Sequence, residues 1–190
     1  MTRKVIPLIY RITAAAFATL AVFACTTQTQ VKSRLDSSGL TVVALDDAIV
    51  LARPVRRLTF AARDYAYIGP VEINRMGQRD HYLWLGLAST IDRAFAGAPP
   101  ADAESLAIFV DGQPMILKLT DWSANLDRSP YETVVPVYAT LSARASLHQI
   151  QRIAIATSIE FHIISKSGPA VRYRMWQGAW SSWSTFGRKE

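Results

Sequence analysis

Apolar and polar residues alternate along most of the chain after its first forty residues, and this pattern predicts β-strands. Residues 58–62 and 65–67 alternate with a period of two, which is the period of side chains on a pleated strand. Residues 81–87 are apolar at almost every position, so we expect a central strand that is covered on both faces. The other strand-like runs are 40–45, 71–75, 106–110, 114–119, 133–139, 158–164 and 171–175.

Polar turn residues between these runs indicate hairpins. Asp111 and Gly112 separate two apolar runs, and an Asp-Gly pair in this context favours a two-residue turn. That role accounts for Asp111 without any catalytic function. Gly168 and Pro169 mark a second predicted hairpin, just before the last strand-like run. We therefore expect an antiparallel sheet or sandwich that is built from hairpins.

Two helices are expected near the carboxyl end. Ser146 and Gln149 resemble a capping box, and apolar residues then recur at helical spacing, which predicts a short helix at about 147–156. Four aromatic residues follow at separations of four, three and three, and they predict an aromatic helix at about 178–187. These residues are Trp176, Trp180, Trp183 and Phe186. Strands followed by segregated helices are typical of a mainly β or α+β fold rather than a doubly wound sheet.

The first 39 residues differ in character from the rest of the chain. Arg3 and Lys4 precede an uncharged apolar stretch at 12–24, which is typical of an export signal. Residues 26–39 are polar and offer almost nothing to bury, so we interpret them as a flexible tether. The predicted organisation is a signal peptide at 1–24, a tether at 25–39 and a single globular domain at 40–190.

The end of the apolar stretch resembles a known processing site. Val22, Phe23, Ala24 and Cys25 resemble the lipobox of bacterial lipoproteins. The resemblance implies cleavage before Cys25, attachment of diacylglycerol to its thiol, usually acylation of the new amino group, and a lipid-anchored place in the cell envelope. By analogy with enterobacterial lipoproteins, Thr26 in place of aspartate implies the outer membrane, facing the periplasm. An uncleaved membrane anchor and an ordinary buried helix are the alternatives for this segment.

Cleavage before Cys25 would change the charge of the mature chain. Three basic residues and no acidic residue precede Cys25, so the formal net charge falls from +6 to +3. Nucleic-acid binding requires a clustered basic face, whereas the remaining arginines are spread singly. The densest group is Arg53, Arg56 and Arg57, and a second set near the end comprises Arg172, Arg174, Arg188 and Lys189. We therefore expect no nucleic-acid partner. The arginine groups are interpreted as solvated strand faces, with attraction to anionic lipid head groups or acidic polymers as the alternative.

Motifs that indicate catalysis or metal binding are missing from the sequence. Cys25 is the only cysteine, and its acylation would leave no thiol for a disulfide or a metal. His81, His148 and His162 form no ligand-spaced pair, so we predict neither a metal nor a cofactor. The chain has no Gly-x-Ser-x-Gly elbow and no glycine-rich phosphate loop. An enzyme stays an alternative, for which carboxylates such as Asp80, Asp92, Glu104 and Glu160, or a histidine and a serine, would converge in one cleft.

Aromatic side chains are the stronger candidates for binding. Trp84, Trp176, Trp180 and Trp183 would suit contact with a ligand or partner, since amphipathic rings bind sugars, lipids and proteins. Core packing is the alternative role of the same residues. Three functional hypotheses follow: a non-enzymatic binding or scaffold domain with an envelope protein partner, a carrier or sensor of an apolar or saccharide ligand, and an envelope-polymer hydrolase.

Overall fold

The fold is built almost entirely from antiparallel β-strands. A computed structural model describes residues 30–54, 62–91, 103–122, 126, 128–166 and 168–187. Within these ranges the chain forms ten strands and two short helices. The strands are β1 (Val31–Leu35), β2 (Thr41–Leu45), β3 (Ile49–Pro54), β4 (Arg63–Arg75), β5 (Gln78–Ser89), β6 (Ala103–Val110), β7 (Gln113–Asp121), β8 (Val137–Arg144), β9 (Ile159–Ser165) and β10 (Val171–Gln177).

Eight of the described strands close into a barrel. They pair antiparallel in the order β4, β3, β10, β9, β6, β7, β8 and β5, and β5 pairs back with β4. Closure removes the exposed edges that an open sheet would leave. The predicted mainly β class is confirmed, and the expected antiparallel sheet takes the form of a barrel.

Strand β4 is long enough to take part in two pairings along one edge. Its first half, from Arg63 to Ile68, pairs with β3, and its second half, from Val71 to Asn74, pairs with β2. The other edge pairs with β5 along the whole strand. Because β1 pairs with β2, the β1–β2 hairpin extends the sheet beyond the barrel, beside the second half of β4.

Two hairpin turns, one of them the predicted Asp111-Gly112 turn, have the left-handed backbone that type I′ turns require. Met76 and Gly77 join β4 to β5 with φ angles of 51° and 94°, and Asp111 and Gly112 join β6 to β7 with φ angles of 49° and 79°. The Asp111 carboxylate also accepts hydrogen bonds from two backbone N–H groups just before β9, at 2.9 and 2.8 Å. The predicted turn role of Asp111 is confirmed.

The first helix, α1 (Leu147–Ala154), begins at the predicted capping box. The Ser146 hydroxyl accepts a hydrogen bond from the Gln149 N–H at 3.2 Å. In return, the Gln149 side chain accepts one from the Ser146 N–H at 2.8 Å. The apolar spacing that predicts the helix corresponds to a buried face, formed by Ile150 and Ile153.

The predicted aromatic helix is a 3₁₀ helix, η1 (Trp180–Thr185). Side chains three positions apart eclipse in this helix type, so Trp180 and Trp183 lie on the same side of it. Phe186 follows the helix as its C-cap residue. Trp183 and Phe186 are both buried, and the Phe186 ring meets the ring of His81 near the start of β5 in a T-shaped arrangement with centroids 6.3 Å apart. Trp176 lies earlier, in β10, so the aromatic stripe is divided between two elements.

Apolar side chains fill the described interior of the barrel. Ile68 and Leu85 are cross-strand partners on the inner face of β4 and β5, and Ile108 and Phe161 are partners across β6 and β9. None of the four is more than 2 % exposed, and each CH₂ group buried in this way contributes about 0.8 kcal/mol. Over the described residues, the interior is a packed core.

The structure corrects part of the tether that is predicted at 25–39. Residues 31–35 form β1 and pair in register with β2. Four of the five side chains of β1 are exposed, so the composition of this strand resembles that of a loop. Backbone hydrogen bonds join β1 to the sheet, and these bonds need no apolar side chain. Cys25 and the predicted signal peptide lie outside the described residues, as does most of the strand-like run at 58–62.

Candidate functional site

The connection between β7 and β8 covers the outer face of β4 and β5. Residues 128–136 of this connection are termed the covering segment. The buried Tyr131 hydroxyl donates a hydrogen bond to the Pro70 carbonyl at 2.6 Å, and the Val135 N–H donates one to the Tyr67 hydroxyl at 3.1 Å. These two bonds hold the covering segment against β4.

A glycine in β4 makes room for this contact. A Cβ atom on Gly69 would lie 2.4 Å from Cζ of the Tyr131 ring, well inside van der Waals distance. The ring of Trp84, on β5, packs against the same tyrosine with centroids 5.5 Å apart. Burial raises the pKa of Tyr131 far above its usual value, so the hydroxyl stays protonated and keeps its role as a donor. The Tyr131 ring thus fills the space that a side chain at position 69 would occupy.

A groove of about 350 Å³ lies between the covering segment and the β1–β2 hairpin, and it is termed the β1–β2 groove. One face of the hairpin forms the first wall, because Lys32 pairs with Ala44, and Arg34 with Val42, in the antiparallel register. Residues 128–132 form the opposite wall. The covering segment therefore packs against β4 of the barrel and also faces the β1–β2 hairpin across the groove.

The β1–β2 groove carries charges of both signs. Lys32 Nζ lies 3.0 Å from Asp46 Oδ1, and the hydrogen bond and Coulomb attraction to this carboxylate raise the pKa of Lys32. Arg34 donates a hydrogen bond to the main-chain carbonyl of Arg128, which ties the hairpin to the covering segment. Three other charged side chains of the groove form no ion pair among the described residues. They are Asp47, Arg128 and Glu132.

The four tryptophans that the sequence indicates as contact residues do not share one surface. Trp84 is 1 % exposed beneath the covering segment, and Trp183 is buried in the core. Trp180 is half-buried and donates its indole N–H to the Ala156 carbonyl at 2.9 Å. Trp176 alone among the four is exposed, on the outer surface of β10. The structure therefore brings Trp180 and Trp183 together on η1 and leaves the other two apart.

The three histidines lie in separate places. His81 Nε2 is 3.1 Å from a carboxylate oxygen of Glu72. His162 Nε2 is 3.4 Å from a carboxylate oxygen of Glu160, and His148 is exposed on α1. Within the described ranges, no group of three or more histidine, cysteine, aspartate or glutamate side chains is placed to hold a metal ion.

The candidate carboxylates that the structure describes do not converge. Asp80 on β5 and Glu160 on β9 are each bound by an arginine, at 2.5 and 2.7 Å. Strands β5 and β9 are four places apart around the barrel in either direction, so these two carboxylates lie on opposite sides of it. Glu104 is exposed on β6, and Asp92 lies outside the described residues.

A charged pair lies in the barrel interior near the start of β4. Asp64 is fully buried, and Nε and Nη2 of Arg53 lie 2.8 and 2.7 Å from its Oδ2 atom. The Ser89 hydroxyl donates to Oδ1 of the same carboxylate at 2.9 Å. Arg53 therefore points its guanidinium into the barrel interior, and residues 55–57 of the same arginine group lie outside the described ranges.

No protein-family model matches the chain, and no curated protein and no solved structure matches it. Neither helix in the described part of the chain has the length and apolar character needed to cross a lipid bilayer.

The residues of the β1–β2 groove are not among the site residues that the sequence predicts. The sequence presents 121–131 as a polar loop, and Pro130 and Tyr131 at its end are the one local signal of a docked segment. On the other side of the contact, Gly69 is a glycine within a strand pattern, which indicates a close backbone approach without naming the partner. The contact joins positions far apart in the chain, and no local pattern specifies it.

Proposed function

We propose that the chain is a membrane-anchored envelope lipoprotein whose barrel is a non-enzymatic binding or scaffold domain for a protein partner. A lipid on Cys25 holds the protein at the membrane, and the β1–β2 groove receives a segment of the partner. The observation that supports this proposal best is the groove itself, a cleft with charges of both signs on the outside of a barrel whose described interior is filled.

The groove suits a peptide segment better than a small apolar molecule. Its volume of about 350 Å³ is at the lower end of the range that is usual for ligand sites. Arg128 and Glu132 offer charges of opposite sign, which a peptide with both kinds of side chain would complement. Val42 and Tyr131 are already almost completely buried, so they leave little apolar area for a ligand to cover.

The other two hypotheses have less support from the geometry. A carrier of an apolar or saccharide ligand needs an open cavity with accessible aromatic rings, whereas Trp84 lies beneath the covering segment. A hydrolase of the carboxylate type needs two acids in one cleft, whereas Asp80 and Glu160 lie across the barrel from each other.

The β1–β2 hairpin would hold the groove close to the proposed anchor. Five residue steps separate Cys25 from Gln30, and an extended chain of that length spans at most about 17 Å. Lys32, two positions further on, already lines the groove. In the lipidated protein a membrane-associated partner would therefore meet the groove near the membrane surface.

Affinity purification of the full chain from detergent-solubilised envelopes tests the groove. We expect a protein that co-purifies with the wild type and is lost from the double variant Arg128→Glu, Glu132→Lys, which reverses both charges and keeps the net charge. The purified candidate should then bind the wild type and not the groove variant.

The matched control for this experiment is the double variant Glu104→Lys, Lys118→Glu. It makes the same charge exchange at exposed positions of β6 and β7, across the barrel from β4. The control should retain the partner. Three outcomes would contradict the proposal. They are loss of the same protein from both double variants, equal retention of it by both, and the lack of any specific partner.

Replacement of Cys25 tests the anchor separately. Cys25→Ser should abolish incorporation of a lipid label and release the protein from the membrane fraction, because serine lacks the thiol that accepts the diacylglycerol. Membrane retention with an intact amino terminus would instead support an uncleaved anchor. Separation of the inner and outer membranes by density then tests the proposed outer-membrane location.

A further inference from the structure

A second exposed surface combines arginine with tryptophan. Arg172, Arg174 and Trp176 alternate along β10 with their side chains on the outside of the barrel. Arg63, at the start of β4, reaches the same surface across β3. These four residues are termed the arginine–tryptophan face.

The side chain of Arg63 stacks on the tryptophan ring. Its Cζ atom lies 4.6 Å from the centroid of the Trp176 ring, which is still 56 % exposed. Strand β3 lies between β4 and β10, where Pro54 pairs with Arg63 and Ala52 pairs with Arg174. Stacking uses the flat face of a guanidinium and leaves its in-plane N–H groups able to bind an anion.

The arginine–tryptophan face has an excess of positive charge. Arg172 is paired with Glu160 at 2.7 Å, and this carboxylate also lies close to His162. Arg63 and Arg174 form no ion pair among the described residues. Two guanidinium groups therefore lie beside an exposed indole ring without a described carboxylate to neutralise them.

This combination suits a lipid surface that bears phosphate groups. Guanidinium groups bind phosphate oxygens through paired hydrogen bonds. Indole rings favour the level of the lipid head groups, where one side of the ring meets water and the other meets the acyl chains. The face is the outer surface of a barrel wall, so it presents these groups to a broad surface rather than enclosing a small ligand.

We propose that the arginine–tryptophan face contacts the head groups of anionic phospholipids and so orients the barrel on the membrane. Arg63 and Arg174 bind the phosphate groups, and Trp176 enters the head-group layer. The inference rests on the membrane location in the proposed function, and its test requires neither the lipid on Cys25 nor the β1–β2 groove.

Vesicle binding tests this face in the full chain with Cys25→Ser, which removes the acyl anchor. The measured quantity is the gain in affinity when phosphatidylglycerol is added to phosphatidylcholine vesicles. The further variant Arg63→Ser, Arg174→Ser should reduce this gain about 25-fold, since each arginine near an anionic surface contributes about five-fold. Arg63→Lys, Arg174→Lys should retain most of the gain, which separates loss of charge from loss of folding.

Two controls complete the experiment. Lys118→Ser, Arg152→Ser removes the same charge from exposed positions of β7 and α1 and should keep the gain. Brominated lipid in the same vesicles should quench the fluorescence of Trp176. The Trp176→Phe protein lacks this emission and should therefore show less quenching. An equal loss in both serine variants would overturn the proposal, as would quenching that is unchanged by Trp176→Phe.

The outcomes also separate this inference from the proposed function. Arginine-dependent binding to soluble polyphosphate, without binding to the vesicles, would assign the face to an acidic polymer and overturn the lipid proposal. Failure of vesicle binding with lipid label present on Cys25 would overturn the inference alone. Vesicle binding without any lipid label on Cys25 in the native chain would overturn the anchor alone.

Discussion

The two faces of β4 are both buried, but by different parts of the molecule. Ala66 and Ile68 face a barrel interior that strands from β3 to β10 enclose together. On the outer face, Tyr67 and Gly69 are covered by the covering segment, which is held mainly through Tyr131. We therefore expect the inner face to open only when the whole domain unfolds and the outer face to open locally, on the side where the β1–β2 groove lies.

The largest expected effect is on the inner face. Leu85→Ala should lower the free energy of unfolding by about 4 kcal/mol, because it leaves a cavity beside Ile68 in a filled core. Urea denaturation measures this loss. The transitions followed by far-ultraviolet circular dichroism and by tryptophan fluorescence should coincide, since the inner face belongs to the whole barrel. Separate transitions would show that the inner face also opens in parts.

The second largest loss of stability should come from breaking the charged pair in the interior. Asp64→Ala should cost about 3 kcal/mol, because it leaves Arg53 without its carboxylate in a site that is only partly exposed. The double variant Arg53→Met, Asp64→Leu should recover much of this loss, since apolar groups of similar volume need no partner. If Asp64→Ala leaves the free energy of unfolding in urea unchanged, the Arg53–Asp64 pair does not stabilise the inner face.

The outer face should respond less and in a different way. Gly69→Ala should cost about 2 kcal/mol through its clash with the Tyr131 ring. Hydrogen exchange should show early loss of protection at the Val135 N–H, while protection of the inner strands stays close to that of the wild type. In a Tyr131→Ala background the same substitution should cost almost nothing, which a double-mutant cycle measures. Equal costs in both backgrounds would contradict the contact.

The smallest effect concerns the hydroxyl of Tyr131. The folded state keeps this group protonated, whereas the unfolded chain releases the proton above about pH 10, so the free energy of unfolding should fall above that pH. The contribution is complete below about pH 10. Tyr131→Phe should remove about 1.4 kcal/mol per pH unit of this alkaline slope. At neutral pH the same substitution should cost about 1 kcal/mol. Denaturation on both sides of this pH measures the slope; an unchanged slope would contradict burial of the hydroxyl.

Local patterns predicted the parts of the fold that local physics decides. The Asp111-Gly112 turn needs a left-handed backbone, and the Ser146 capping box needs two side chains three positions apart, so both are visible in the sequence. Closure of the strands into a barrel depends on the pairing of β4 with β5 on one edge and with two other strands on the second edge. The choice of partner strands depends on contacts between segments that are distant in the chain. The alternation of apolar and polar residues alone therefore did not distinguish an antiparallel sheet from a sandwich.

The candidate site was less accessible to prediction for a related reason. Strand β1 exposes most of its side chains, so its sequence could not be distinguished from that of a tether. The tryptophans were the obvious aromatic candidates, yet Trp84 and Trp183 are buried. The groove depends on Tyr131 packing over Gly69, which are 62 positions apart in the chain. Sequence patterns report which residues favour burial and do not report which distant residue covers them.

The β1–β2 hairpin has a consequence for how the domain carries mechanical load. A pull on Gln30 acts first on β1, which among the described residues pairs with β2 alone, over five residue pairs. The closed ring of eight strands lies beyond that ladder, so tension would peel β1 away before it reaches the ring. Peeling would also remove Lys32 and Arg34 from one wall of the groove. We therefore expect force along the amino-terminal chain to detach β1 and open one wall of the groove while the barrel stays folded.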